Sequence, residues 1–132
     1  MKERLRCIVR QRWIEASPEE SVRQALLHYL IHNLDYPKGR FSVESMVMVN
    51  GQRRRTDVLI HDEYGKVLMI IECKAPEIPI DEKTLAQISM YNHALDAPYL
   101  VLSNGNDHRV FLLDSAKKEM RSLSAIPSYS EL

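Results

Sequence analysis

Two apolar runs separated by a short polar turn constrain this chain more than any other stretch. Thr56-Asp57-Val58-Leu59-Ile60 and Val67-Leu68-Met69-Ile70-Ile71-Glu72-Cys73-Lys74 flank His61-Asp62-Glu63-Tyr64-Gly65-Lys66. Runs rich in Val, Ile and Leu with a Gly-containing turn between them read as a β-hairpin. Both runs are apolar at consecutive positions, so this part of the sheet must be covered on both faces. The charged residues sit at one end, because in an antiparallel pair the start of the first strand lies beside the end of the second. A two-residue loop at Tyr64-Gly65 sets Glu63 against Lys66 and, counting back, Asp57 against Glu72, with Cβ atoms about 5 Å apart. Lys74 shares that face, two residues on. A four-residue loop keeps this register, whereas a three-residue loop shifts it by one and separates the acids.

The other segments follow from local signals. Residues 1–16 mix basic and apolar positions without a clean period and read as an N-terminal arm packed on the domain. Ser17-Pro18-Glu19-Glu20 is a helix start, with Ser as N-cap, Pro at the first helical position and Glu20 at the capping-box position. Val22, Ala25, Leu26, Tyr29, Leu30 and Asn33 then supply a stripe for core packing, and the helix ends near Leu34. Residues 41–49 read as a strand, and Asn50-Gly51 as the two-residue turn joining it to the strand of Asp57. Ala75 to Pro79 is a loop, followed by a helix from about Asp81 to Leu95 and strands at Tyr99–Ser103 and Val110–Leu113. Residues 115–132 read as a surface tail anchored by Ile126, Pro127 and Tyr129. Helix, three antiparallel strands, crossover helix and two strands give a single α/β domain, a mixed central β-sheet flanked by helices.

Composition narrows the chemistry. With 132 residues and 18 basic against 18 acidic side chains, the chain is one domain with no bulk charge to select a partner. Arg53, Arg54 and Arg55 nevertheless form a run beside Asp57. Cys7 and Cys73 lack metal-ligand spacing and suit a reducing, cytoplasmic setting. No apolar run reaches the ~20 residues of a membrane span, and the charged N-terminus is unlike a signal peptide. No nucleophilic triad, phosphate-cradling loop or zinc pattern is present.

Asp57 and Glu72 offer hard oxygen ligands for Mg²⁺ or Mn²⁺, and the backbone carbonyl of Cys73 can add another. Lys74 is placed to orient water or to neutralise charge growing on a phosphate. The spacing alone is common: a solvated strand end, with Glu72 paired to Lys74 and Asp57 answering Arg53, Arg54 and Arg55, fits the same residues. More specific is an ordered set of matches: Pro18-Glu19-Glu20-x-Val22-Arg23-Gln24, Tyr36-Pro37, Arg55-x-Asp57, Glu72-x-Lys74-Ala75-Pro76, Gln87-x-x-x-Tyr91, Ser103-Asn104-Gly105 and Ile126-Pro127-Ser128-Tyr129. Through these the chain resembles the nuclease domain at the N-terminus of the restriction subunit of type I restriction enzymes, within the PD-(D/E)xK nuclease superfamily.

The resemblance implies a restriction-endonuclease-like core and a metal-dependent DNA cleavage site at Asp57, Glu72 and Lys74. It also implies an acid on the first helix, corresponding to Glu20, whose capping-box position gives an equally good structural role. Gln87 and Tyr91 are similar to a motif of RecB-like nucleases; four residues apart, they share a helical face. Gln87 then contacts a phosphate or Lys74, and Tyr91 stacks or simply packs. Arg53, Arg54 and Arg55 are candidate phosphate contacts. In the restriction enzymes this domain is joined to an ATP-driven translocase, of which no phosphate-loop sequence occurs here. A homodimer or a partner protein supplying targeting is therefore expected. The alternative to a nuclease is a non-catalytic nucleic-acid-binding or assembly module that keeps the fold.

Overall fold

Ser17 stands in extended backbone and its hydroxyl accepts the Glu20 N–H at 3.1 Å, which caps helix α1, Pro18–Asn33. The computed structural model describes residues 3–49, 51–114 and 119–132. At the other end of α1 the Leu34 N–H returns to the Leu30 carbonyl, and Asp35 at φ 61° turns the chain away. The buried face differs from the expected stripe. Val22, Leu26 and Leu30 are buried as expected, but so are Leu27, Glu20, Arg23 and Gln24, while Ala25, Tyr29 and Asn33 face outward. Hydrophobic patterning misplaces the face because polar side chains that pair internally can be buried, and pairing is invisible to a hydropathy count.

Ahead of α1, a separate two-stranded hairpin of β1 (Arg4–Arg6) and β2 (Trp13–Glu15) gives the N-terminal arm its structure. After α1, six strands form one sheet: β3 (Phe41–Val49), β4 (Gln52–His61), β5 (Val67–Cys73), β6 (Tyr99–Ser103), β7 (His108–Asp114) and β8 (Glu119–Leu123), in that spatial order. Only β5 and β6 run parallel, joined by helix α2 (Glu82–Leu95), which Asp81 caps through the Thr84 N–H. The architecture is thus a mixed sheet of the α/β class, richer in strands than the sequence suggests. β8 escapes sequence inspection because its Glu-Met-Arg-Ser-Leu sequence is largely exposed and carries no apolar alternation.

Alternation sorts the core into two layers. Val58, Ile60, Met69, Ile71, Cys73 and Val101 face α1, whereas Leu59, Ile70, Leu100 and Leu102 face Leu85 and Leu95 of α2. The double coverage inferred from the apolar runs is present. The segment after β8 is anchored on the core through Ile126 and Tyr129, as expected. Tyr129 packs edge-on against Tyr36 at 5.5 Å, its hydroxyl donates to the His61 carbonyl at 3.0 Å, and the Tyr36 hydroxyl donates to the Pro127 carbonyl at 2.8 Å. Among the described residues, no helix is long and apolar enough to cross a membrane.

The β4–β5 hairpin corrects one expectation and keeps its consequence. The loop has three residues, not two or four: Asp62 N–H reaches the Lys66 carbonyl, and the Asp62 carboxylate accepts the N–H groups of Tyr64 and Lys66 at 2.8 and 2.9 Å. An Asp side chain that gathers the turn's own N–H groups, with Gly65 at φ 88°, favours this loop. Such a loop shifts the pairing by one, and His61 duly pairs with Val67. Ile60 then pairs with Met69, leaving Leu68 as an extra residue in a β-bulge. The bulge cancels the shift. Val58 faces Ile71, and one step further Asp57 falls opposite Glu72.

The rotated face of α1 is directly testable. Leu30→Ala should cost about 2–5 kcal/mol in urea unfolding, as for a buried leucine, whereas Tyr29→Ala should stay within about 0.5 kcal/mol.

Candidate active site

Adjacent strands β4 and β5 bring Asp57, Glu72 and Lys74 to one end of the sheet. Asp57 is fixed by the Cys73 N–H, which donates to Oδ2 at 2.7 Å. The Arg23 guanidinium, coming from α1, lies 3.7 Å from Oδ1. Glu72 is only 9% exposed, with Lys74 Nζ 3.8 Å from Oε1. Its other oxygen, Oε2, is buried and meets no donor among the described residues, with the Asp57 carboxyl beside it. The Lys74 backbone is itself held, its N–H donating to the Ser103 carbonyl of β6 at 2.8 Å.

The electrostatics follow from this crowding. Burial, then the nearby Asp57 charge, push the Glu72 carboxyl up to about 8, with Lys74 pulling the other way. Burial also raises Asp57, against the Cys73 N–H, Arg23 and Lys74. Two buried acids side by side resist holding two negative charges, and the protein's own cations only partly relieve them.

Glu20 is engaged by cations of the adjoining cluster. Arg23 grips its carboxylate with two nitrogens, Nε at 2.7 Å from Oε2, while Arg10 Nη2 sits 3.1 Å from Oε1 and Gln24 donates to Oε2 at 3.2 Å. Burial alone would raise Glu20, but these donors hold it below its ordinary value. Its carboxylate therefore serves this buried cluster. Its neighbour Glu19 feels the charges at this end of the sheet: burial first and Asp57 second raise its pKa, with Lys74 pulling the other way. The sequence carries this signal only as one of two adjacent glutamates, and the capping pattern draws attention to the second.

Glu44 is another residue that sequence reasoning misses. It lies on β3 at the position opposite Asp57, where the pairing skips from Val43↔Val58 to Ser45↔Thr56, and its φ is 57°. A bulky non-glycine residue in the left-handed region is uncommon within a strand. Its carboxylate meets Arg23 at 3.0 Å and Arg10 at 3.2 Å. Arg23 thus joins Glu20, Glu44 and Asp57, and Arg10 extends the cluster into the N-terminal arm.

Arg53, Arg54 and Arg55 are exposed on β4, on the part of the β3–β4 ribbon that precedes Asp57, and Arg54 donates to Gln52 Oε1 at 2.6 Å. Cys73 is buried within β5. Gln87 and Tyr91 fall on α2, but their side chains lie outside the described residues. Among the described residues, no three Asp, Glu, His or Cys side chains form a ready-made metal cage. The arrangement offers a carboxylate pair with an adjacent ammonium, which is enough for a cation that keeps waters and takes one or two carboxylates.

Residues 18–127 match the family model described as the type I restriction enzyme R protein N terminus. No curated protein matches the sequence. A solved fragment assigned as an HsdR subunit of a type I restriction enzyme from Vibrio vulnificus YJ016 is similar in fold, with TM-score 0.61 at 18% identity. The match covers 89% of this chain and 24% of that one, so the chain spans about a quarter of that fragment.

Two measurements test the site's electrostatics. Native Glu72 keeps its proton to about pH 8, whereas the unfolded side chain loses it near 4.5. The native state therefore binds more protons across this window, and stability falls as pH rises through it. Glu72→Gln should remove that loss: denaturation midpoints nearly match wild type at pH 4 and exceed it at pH 8. Arg23→Met should instead cost about 3–5 kcal/mol in equilibrium unfolding, since it strands buried carboxylates.

Proposed function

Because this chain belongs to the family of type I restriction enzyme R protein N termini, we propose that it is a metal-dependent DNA endonuclease domain of the PD-(D/E)xK type. The observation that supports this reading is the buried Oε2 of Glu72, which meets no donor among the described residues and lies beside the Asp57 carboxylate. Leaving a buried acceptor unmade costs about 1–3 kcal/mol, and a cation held by these two acids would relieve that cost. In this reading the sheet is a restriction-endonuclease-like core whose apolar body holds the charged end rigid.

The residues fit Mg²⁺ or Mn²⁺. Asp57 and Glu72, with the Cys73 carbonyl, would supply hard oxygen donors, and Glu19 on α1 adds negative charge that reaches them. Bound there, the ion would polarise the phosphodiester and make water more acidic. The rest is the work of this chain. The Cys73 N–H and Arg23 hold Asp57 in orientation. Lys74, tied to β6 through its backbone, presents a cation where a phosphate gains negative charge. Burial excludes bulk water, so each of these charges acts through a low dielectric. Gln87 and Tyr91, one face of α2, are proposed to contact the substrate backbone, and Arg53, Arg54 and Arg55 to bind flanking phosphates. The substrate is DNA and the setting the cytoplasm, with targeting supplied by a partner protein or by a second copy of the chain.

Calorimetry with Mg²⁺ and Mn²⁺ and a plasmid-nicking assay test this together. Asp57→Ala and Glu72→Ala should abolish metal binding and nicking. Lys74→Ala should keep metal binding while nicking falls by about 100-fold or more. Absence of metal binding by the wild-type chain would sink the nuclease reading; metal binding without cleavage in the presence of partner subunits would favour a binding module.

A further inference from the structure

The β3–β4 ribbon runs past the rest of the sheet. Extending the β4–β5 register places Cys73, the last residue of β5, opposite Thr56, so among the described residues Gln52 to Arg55 have β3 as their only strand partner. Four residues extend about 13 Å. Val49 pairs with Gln52, so the ribbon stays narrow to its last described pair, and Gly51 takes φ 76°; the Asn50 half of the expected Asn50-Gly51 turn lies outside the described residues. From Ser45 to Thr56 the sequence holds three arginines and no acid, in a chain whose total charge balances.

One face of this ribbon is unusual. Met46 pairs with Arg55 and Met48 with Arg53, and directly paired residues share a face. The methionines are 50% and 58% exposed. Scattered exposed apolar side chains need no explanation, but two at alternate positions, each set beside an arginine, make a stripe. Asp57 continues the same alternation from Arg53 and Arg55, so the stripe leads directly to the acid pair. Arg54 points to the other face.

We propose that the β3–β4 ribbon is an arm that enters a groove of duplex DNA beside the bond to be cut. The inference rests on the DNA-cleaving reading and adds how the duplex is engaged. A two-stranded ribbon fits the major groove, about 12 Å wide and 8.5 Å deep, and with α2 lying close to β3 it is the tip of the ribbon that enters. Arginines on both faces address the phosphates of both walls, which an arginine run on a flat sheet would not do. Met46 and Met48 meet base edges, where an apolar, adaptable side chain contacts thymine methyls without demanding one sequence. The expected behaviour is a strong electrostatic component with a smaller, salt-independent apolar one.

The test is fluorescence anisotropy on a labelled 30-base-pair duplex, with the full chain in EDTA so that no cutting occurs, over a range of KCl. Arg53→Gln/Arg54→Gln/Arg55→Gln should weaken binding by about 100-fold and lower the salt slope by about 2–3, near 0.9 for each phosphate no longer neutralised. Met46→Ser/Met48→Ser should weaken binding by about 10-fold, leave the salt slope unchanged and reduce the preference for duplex over single strand. Both variants should retain wild-type unfolding midpoints and calorimetric Mn²⁺ binding. Wild-type duplex affinity in the two ribbon variants would overturn the arm while leaving the nuclease reading intact, and would leave this face to a protein partner. Failure of the wild-type chain to bind duplex would overturn the arm and the DNA reading together, whereas duplex binding that depends on the ribbon in a chain that binds no metal would sustain the arm and overturn only the nuclease.

Discussion

The buried Arg23 guanidinium is the interaction on which the site end of the molecule depends. It projects from α1 and meets carboxylates of three different segments: Glu20 on its own helix, Glu44 on β3 and Asp57 on β4. A planar, permanently charged group with five donors suits this role in a way a lysine cannot. Each carboxylate alone would be costly to bury. Gathered around Arg23, with Arg10 as a second cation, three of them sit where a core of leucines and isoleucines would otherwise end. Burial by itself pulls the Arg23 pKa down, but Glu20, Glu44 and Asp57 together push it above its ordinary value, and the charge is locked on.

Glu72 stands outside that cluster, and this division organises the chemistry. One set of acids is neutralised internally and serves architecture. The other, Asp57 and Glu72 with Glu19 nearby, is left short of positive charge, with Lys74 at 3.8 Å as the cation that answers Glu72. Acids whose environments differ this much, although close in space, are the usual mark of a division between structural and chemical roles. The two sets meet at Asp57, which Arg23 touches and Glu72 faces.

Much of this is legible in the sequence, and the rest is hidden for definite reasons. Helix ends at Ser17 and Asp81, the strands at 41–49 and 99–103, and the two-sided burial of the central strands follow from capping chemistry and apolar runs. The convergence of Asp57, Glu72 and Lys74 also follows, although by a different hairpin. The Asp62 turn and the Leu68 bulge each change the count by one and cancel, and no local propensity announces a bulge within Val-Leu-Met-Ile-Ile. The buried face of α1 is misjudged because Arg23 and Gln24 look like solvent-facing residues until their partners are known. Glu44 and Arg10 come from distant segments, so only the folded chain reveals that they join the cluster around Arg23. β8 depends on contacts that a polar, irregular stretch does not advertise; Tyr129 is legible as an anchor, but its partners Tyr36 and His61 are not.

The Tyr129 hydroxyl ends on the carbonyl of His61, the residue at which the β4–β5 register changes. This bond has a consequence in time. On the ribosome, Asp57, Glu72 and Lys74 are all in hand about 55 residues before Tyr129 is added, an interval of several seconds at about 5–20 residues per second. During that interval the hairpin can close on the register its loop prefers by itself, with the two acids out of step. The later segment then adds its bond at the residue where the register changes. A nascent chain therefore carries every site residue before it carries this brace on their alignment.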